Sequence, residues 1–241
     1  MRHHIYAILW KQLKDTLKNK EVLIQYVMFP VLTIIMENAV KLEGMPEHFF
    51  ANLFAGMYLG MAPLTSIATV IAEEKEKNTL RVLQMSNVRA MEYLFGNSVY
   101  IWGVCMVGSL VMGIAGGYSG RGLVLFMLLM ALGHMLSLLV GAAIGVSSKS
   151  QMAATALTMP VMMVLAFLPM LSMFNTTIAK IAKLVYSQQL FLLMNQLEAP
   201  KLTTENVMIL VANVLVAIVA FVFAYKKAFV GFRQTKCLKV S

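Results

Sequence analysis

The densest set of reactive side chains is the run Glu73-Glu74-Lys75-Glu76-Lys77, followed by Asn78-Thr79-Leu80-Arg81-Val82-Leu83. Carboxylates and ammonium groups packed this closely suit polar contact with another surface. Thr79 can cap a short helix on which Leu80 and Leu83 share a face. Such a helix needs something to pack on, although a solvated connector between two apolar segments would carry the same charges. Metal chemistry needs converging His, Cys or carboxylate ligands, and no His pair follows Glu73-Glu74. Gly117-Tyr118-Ser119-Gly120 offers a serine hydroxyl, but the only downstream His is His134. The intervening helix would hold the two roughly 22 Å apart, beyond a nucleophile–base hydrogen bond. The sequence therefore predicts no catalytic residue and no metal site. A phosphate loop of the form Gly-x-x-x-x-Gly-Lys-Ser/Thr is also absent.

The elements that position these residues are apolar blocks. Of 241 residues, 59% are hydrophobic and 13% charged, with a mean hydropathy of +0.75. Soluble domains run near a quarter charged. Each block approaches the roughly 20 residues a helix needs to cross the hydrocarbon core. The blocks are continuously apolar rather than alternating, which excludes a β-barrel. The expectation is an all-α membrane protein with about six transmembrane helices, near 22–41, 49–72, 94–117, 123–147, 152–174 and 206–225. Ahead of them, Ile5, Leu9, Leu13 and Leu17 recur every four residues opposite Lys11, Lys14 and Lys18. That pattern predicts an amphipathic interfacial helix over 3–20. The segment 175–204 is too mixed for a free loop and too short for two spans.

A net charge of +9 and pI near 9.6 would suggest nucleic acid in a soluble protein; here the positives orient the chain, and no nucleic-acid partner is expected. Most Lys and Arg residues fall on one side of the predicted spans, leaving Lys41, Arg121, Lys180, Lys183 and Lys201 on the other. Both termini are thus expected in the cytosol, with 226–241 a basic cytosolic tail. Cys105 and Cys237 fall in different environments and predict no disulfide.

Groups at membrane depth are candidates for a pathway or gate. These are Glu37 near an end of the first span, His134 in the fourth and Asn213 in the sixth; headgroup contact for Glu37 and simple packing for His134 are the plainer alternatives. Pro160 and Pro169 in one span predict a broken helix that continues into short outer helices over 160–204. Gly56 and Gly60, Gly113 and Gly117, and Gly141 and Gly145 are each four apart, a spacing for close helix packing within or between chains.

The stretch Ile71-Ala72-Glu73-Glu74-Lys75-Glu76-Lys77-Asn78-Thr79-Leu80-Arg81-Val82-Leu83, with Ser86 and Glu92-Tyr93-Leu94 beyond it, resembles the permease subunits of ATP-binding cassette (ABC) type-2 exporters. Their pattern is a charged run, Gly-Thr-Leu-Glu, a Leu, then Ser-Pro and a later Lys. Here Asn78, Arg81, Asn87 and Asn97 replace the Gly, Glu, Pro and Lys, while Thr79-Leu80 and the charged run remain. The interfacial helix, six spans, short helix after the second span and re-entrant outer segment before the last span follow the same order, across 1–241 as one permease domain.

The resemblance implies an export pathway driven by a separate ATP-binding cassette ATPase, which would carry the ATP and Mg; this chain would bind no cofactor. Within 73–93, Glu73, Glu74, Glu76, Lys77, Thr79, Leu80 and Leu83 would couple it to that ATPase. It further implies a second permease chain, identical or different, in the plasma membrane bilayer. The expected substrate is amphipathic or hydrophobic: a drug, an antimicrobial peptide or a lipid-linked molecule. The alternative is a membrane scaffold or immunity protein that needs no ATPase.

Overall fold

The computed structural model describes residues 10, 12–14, 16, 20–40, 46–77, 90–197 and 203–237. Inside a bilayer every backbone group needs an internal partner, so continuous apolar runs fold as helices. They are α1 (Lys20–Ala39), α2 (Phe49–Glu76), α3 (Ala90–Ala115), α4 (Gly120–Ser147), α5 (Gln151–Ser172), α6 (Thr176–Ala182), α7 (Tyr186–Met194) and α8 (Thr204–Cys237). No strand occurs among the described residues. The protein is an all-α integral membrane protein.

Helices α2, α3, α4, α5 and α8 are long and apolar enough to cross a membrane, and α1 adds a shorter apolar stretch, Leu23–Ala39. The expected first span is thus trimmed: Lys20 and Glu21 open its helix and Glu37 sits near its end. The last span, Thr204–Lys227, is close to the expected one, but its helix runs on through the basic residues to Cys237.

The expectation of a helix broken at Pro160 is corrected. Helix α5 is continuous through both Pro160 and Pro169 and ends at Ser172. Each proline removes one backbone hydrogen bond, but neighbouring bonds and close packing against α2 hold the helix. The break comes at 173–175, where Asn175 Oδ1 accepts from Thr177 N–H at 2.8 Å and starts α6.

Helix α2 is the hub, packed against α1, α3, α4, α5 and α7. Small residues set the approach. A Cβ on Gly60 would lie 2.7 Å from the Ala166 nitrogen of α5, and one on Gly145 would lie 2.8 Å from the Ala68 carbonyl oxygen of α2. A Cβ on Gly141 would meet the Leu64 carbonyl. By contrast α8 leans mainly on α4, with α7 beside it, and its apolar stretch leaves most of its surface outward.

Helices α6 and α7 form a re-entrant hairpin. Ser137 Oγ donates to the Leu59 carbonyl at 2.5 Å and shares a 2.7 Å hydrogen bond with the Tyr186 hydroxyl. Asn213 Nδ2 donates to the Leu184 carbonyl at 2.9 Å. Asn213 lies nine residues into α8, roughly 14 Å from its start at 1.5 Å per residue. The turn joining α6 and α7 therefore lies level with the middle of the last span, with Leu184 exposed, while Asn195 returns to the level of Asn52 near the start of α2.

Of the predicted interfacial helix, residues 10, 12–14 and 16 are described, and they are helical. Gln12 and Thr16 are buried, while Trp10 and Leu13 are exposed. Of the described apolar residues, Trp10 and Leu13 thus face outward, as they do on a helix whose solvent is lipid.

Candidate functional site

At one end of the bundle, the terminus of α2 is clamped to the turn between α4 and α5. Lys75 Nζ donates to the carbonyls of Val146 and Ser148 at 2.5 and 2.6 Å. These carbonyls close α4, whose last turn has no basic residue of its own. A cation here meets the negative end of the helix dipole. The next residue does the complementary job: Glu76 Oε2 accepts from the Gln151 N–H, the first of α5, at 2.8 Å. Ser150 supplies the local cap, its side chain accepting from Ala153 N–H at 3.2 Å. Two adjacent side chains of opposite charge thus hold two helix ends of opposite polarity.

The other charges of the run point elsewhere. Glu73 pairs with Lys77 at 2.5 Å on the exposed side. Glu74 is buried and faces Tyr93 of α3. Thr79, Leu80 and Leu83, which complete the predicted coupling segment, lie outside the described residues.

The opposite end carries a polar cleft of about 700 Å³. Its wall is built by the turn between α3 and α4. Gly117 adopts φ +79°, its N–H bonds to the Ile114 carbonyl and the Tyr118 N–H to the Gly113 carbonyl. This is a Schellman closure, which requires a residue tolerant of positive φ at that position. It aims Tyr118 inward, where its hydroxyl donates to Asn52 Oδ1 at 2.7 Å. Asn52 Nδ2 in turn donates to Asn195 Oδ1 at 3.0 Å. His48 stacks on Tyr118 at 4.0 Å and hydrogen-bonds the Gly116 carbonyl through Nδ1. Burial, with the nearby Glu37 carboxylate, pushes the Tyr118 phenol up to about 12. Glu47 and Arg121 stand at the rim.

The predicted pathway residues are dispersed. Glu37 Oε1 accepts from the Ala51 N–H at 2.8 Å and so caps α2 from α1; the N-cap residue itself, His48, makes no side-chain cap. His134 is wholly buried, with Nε2 2.8 Å from Ser109 Oγ and Tyr58 edge-on at 5.6 Å. Asn213 secures the re-entrant turn, and Pro160 and Pro169 lie inside α5. Gly60, Gly141 and Gly145 make contacts within the chain, Gly56 touches Phe191 of α7, Gly113 abuts Leu123 and Phe126 of α4, and Gly117 lies outside the helices. Among the described residues no group of His, Cys, Asp and Glu is placed to hold a metal ion.

The sequence matches the family described as ABC-2 family transporter protein over residues 4–226. The chain belongs to the ABC-2 transporter family. It is accordingly a membrane-spanning permease subunit of an ABC transporter, the kind of subunit that lacks its own ATPase. No curated protein matches it. In this ABC-2 permease the matched region takes in both the clamp around Lys75 and Glu76 and the cleft around Asn52 and Tyr118.

Sequence reasoning singled out Glu76 but not Lys75's role, and it passed over His48, Asn52, Tyr118 and Asn195. The glycine pair Gly116-Gly117 before an aromatic was a usable signal for a closed helix end. Nothing local marks Asn52 or Asn195, which pair with each other across 143 positions of sequence.

Proposed function

We propose that this permease is the pathway-forming subunit of an ATP-driven exporter, with a separate ATP-binding cassette ATPase and a second permease chain. The observation that carries the proposal is the Lys75–Glu76 clamp. The segment 78–89 leaves α2 directly beyond it, so a push on that segment would reach α4 and α5 at once through charged hydrogen bonds rather than through soft packing. The Glu73–Lys77 ion pair at the same end would meet the ATPase, as would Thr79, Leu80 and Leu83 by their place in the motif. The Lys and Arg bias supports a cytosolic location for this end and both termini in a plasma-membrane protein.

ATP and Mg act on the partner. Their closure of the ATPase would switch the bundle between two packings of α2 against α4 and α5. The polar cleft at the far end would then be the exit mouth. Its Asn52–Tyr118–Asn195 wall suits a substrate that carries a polar group on an otherwise apolar body, such as an amphipathic drug, a peptide antibiotic or a lipid-linked molecule.

Purification of the tagged chain in mild detergent tests this reading. A near-stoichiometric partner bearing a phosphate loop is expected, and Leu80→Asp with Leu83→Asp should release it while the permease stays folded. A folded, abundant chain with no such partner would instead favour an ATPase-independent scaffold or immunity role.

A further inference from the structure

One face of α3 holds a groove that neither the clamp nor the cleft uses. Phe95, Val99, Gly103, Val107 and Val111 follow one another at four-residue spacing and therefore form a ridge along the helix. All except Gly103 are large and exposed. Gly103 interrupts the ridge, and a Cβ built there would meet nothing within 4 Å. The glycine is thus not a packing contact within the chain; it is a notch. Trp10 and Leu13 of the N-terminal helix stand across from it, and with Val99, Tyr100, Val104 and Val107 they line an open groove of about 430 Å³.

The lining of this groove is almost wholly apolar, so water gains no hydrogen bonds there. Its walls are open to the surroundings: Val107 is 65% exposed and Trp10 52%. A cation stands beside one of its lining residues. Lys14 Nζ lies 5.3 Å from the centre of the Trp10 ring, held by the face of an aromatic that also lines the groove. The helix carrying both is anchored through its buried Gln12 and Thr16. A long apolar slot lined by a tryptophan that also holds an ammonium group matches one chemistry, an acyl chain attached to an anionic headgroup.

We infer that the groove between the N-terminal helix and Gly103 of α3 is a binding site for an anionic phospholipid, with one acyl chain in the notch and the headgroup at Lys14. The inference is independent of the export reading, since it concerns how the N-terminal helix is seated on the bundle. A second copy of the chain is the competing occupant, but it would have to fill a notch only one residue wide.

The two tryptophans, Trp10 and Trp102, make the site readable. Trp102→Phe leaves Trp10 as the sole reporter. The chain is reconstituted in mixed phosphatidylglycerol and phosphatidylcholine vesicles, with brominated acyl chains on one lipid or the other, and Trp10 quenching is measured. Brominated phosphatidylglycerol should quench with roughly fivefold apparent preference, the order expected for one lysine at an anionic surface. Lys14→Gln should erase the preference while leaving quenching by both lipids. Gly103→Leu fills the notch without meeting another atom at its Cβ and should reduce quenching by either lipid severalfold. Gly103→Ala, with unchanged thermal unfolding, serves as the folding control. Equal quenching by the two lipids in the unmutated groove, or quenching indifferent to Gly103→Leu, would overturn the assignment. Efficient self-crosslinking of a Gly103→Cys variant would give the groove to a second copy instead.

Discussion

Lys75 and Ser148 are joined by a 2.6 Å hydrogen bond from ammonium to main-chain carbonyl, across 73 positions of sequence. The contact ties the end of α2 to the residue that closes α4, and the same ammonium reaches Val146. Lys75→Met keeps the apolar stem and removes the charge. It should lower stability by about 2 kcal/mol, the scale of a hydrogen bond to a charged group, seen as a reduced unfolding temperature in detergent. Lys75→Arg should recover most of that loss. An unfolding temperature unchanged by Lys75→Met would mean that the clamp contributes nothing to holding α4.

Glu37 is placed to cap rather than to carry. Its Oε1 accepts from the third residue of α2, Ala51. Glu37→Gln retains an acceptor oxygen and should cost little, whereas Glu37→Ala should cost about 1 kcal/mol, as losing an N-terminal cap does. Thermal unfolding of the two variants separates these outcomes. Loss of transport in a fully stable Glu37→Gln protein would instead point to a charge-dependent role in the pathway.

Gly60 and Gly103 form a matched pair of opposite sign. A methyl on Gly60 would press on the Ala166 backbone at 2.7 Å, and backbone cannot rotate away. Gly60→Ala should destabilise by about 1–3 kcal/mol, the range for overpacking. At Gly103 the space is open, so Gly103→Ala should be neutral or should stabilise by up to about 1 kcal/mol through helix propensity. Denaturation of the two single variants side by side gives the comparison.

The spans were legible because apolar blocks of membrane length leave few alternatives. The charged run was legible too, as a run. What it binds was not: Val146, Ser148 and Gln151 are ordinary residues at ordinary helix ends, and pairing over seventy positions leaves no periodicity. Pro160 and Pro169 read as a break because local rules count the lost hydrogen bonds and cannot count the packing against α2 that compensates for them. Gly103 looked like any glycine in a span until the space beside it was known.

Tyr118 gives a prediction about pH. Burial raises its phenol to about 12, above the ordinary value of about 10. The stability that depends on its neutral form is complete below about pH 10, falls as pH rises and is gone beyond about 12. Tyr118→Phe should remove this alkaline slope. At neutral pH it should cost about 1 kcal/mol for the lost Asn52 hydrogen bond. Unfolding temperatures taken from pH 7 to 11.5 for both proteins check both effects.

Helix α2 touches nearly every other helix, yet it is the least apolar of the five long spans and the most buried, while α8 is the most apolar and the least buried. During synthesis α2 leaves the ribosome well before α4, α5 and α7, which pack against it and, through α5 and α7, cover Gly60 and Gly56. It must therefore wait in the insertion machinery, only weakly attracted to lipid, until its partners emerge. Assembly of the bundle is consequently a late event in translation, and truncated chains ending before α5 should be those that membrane quality control removes.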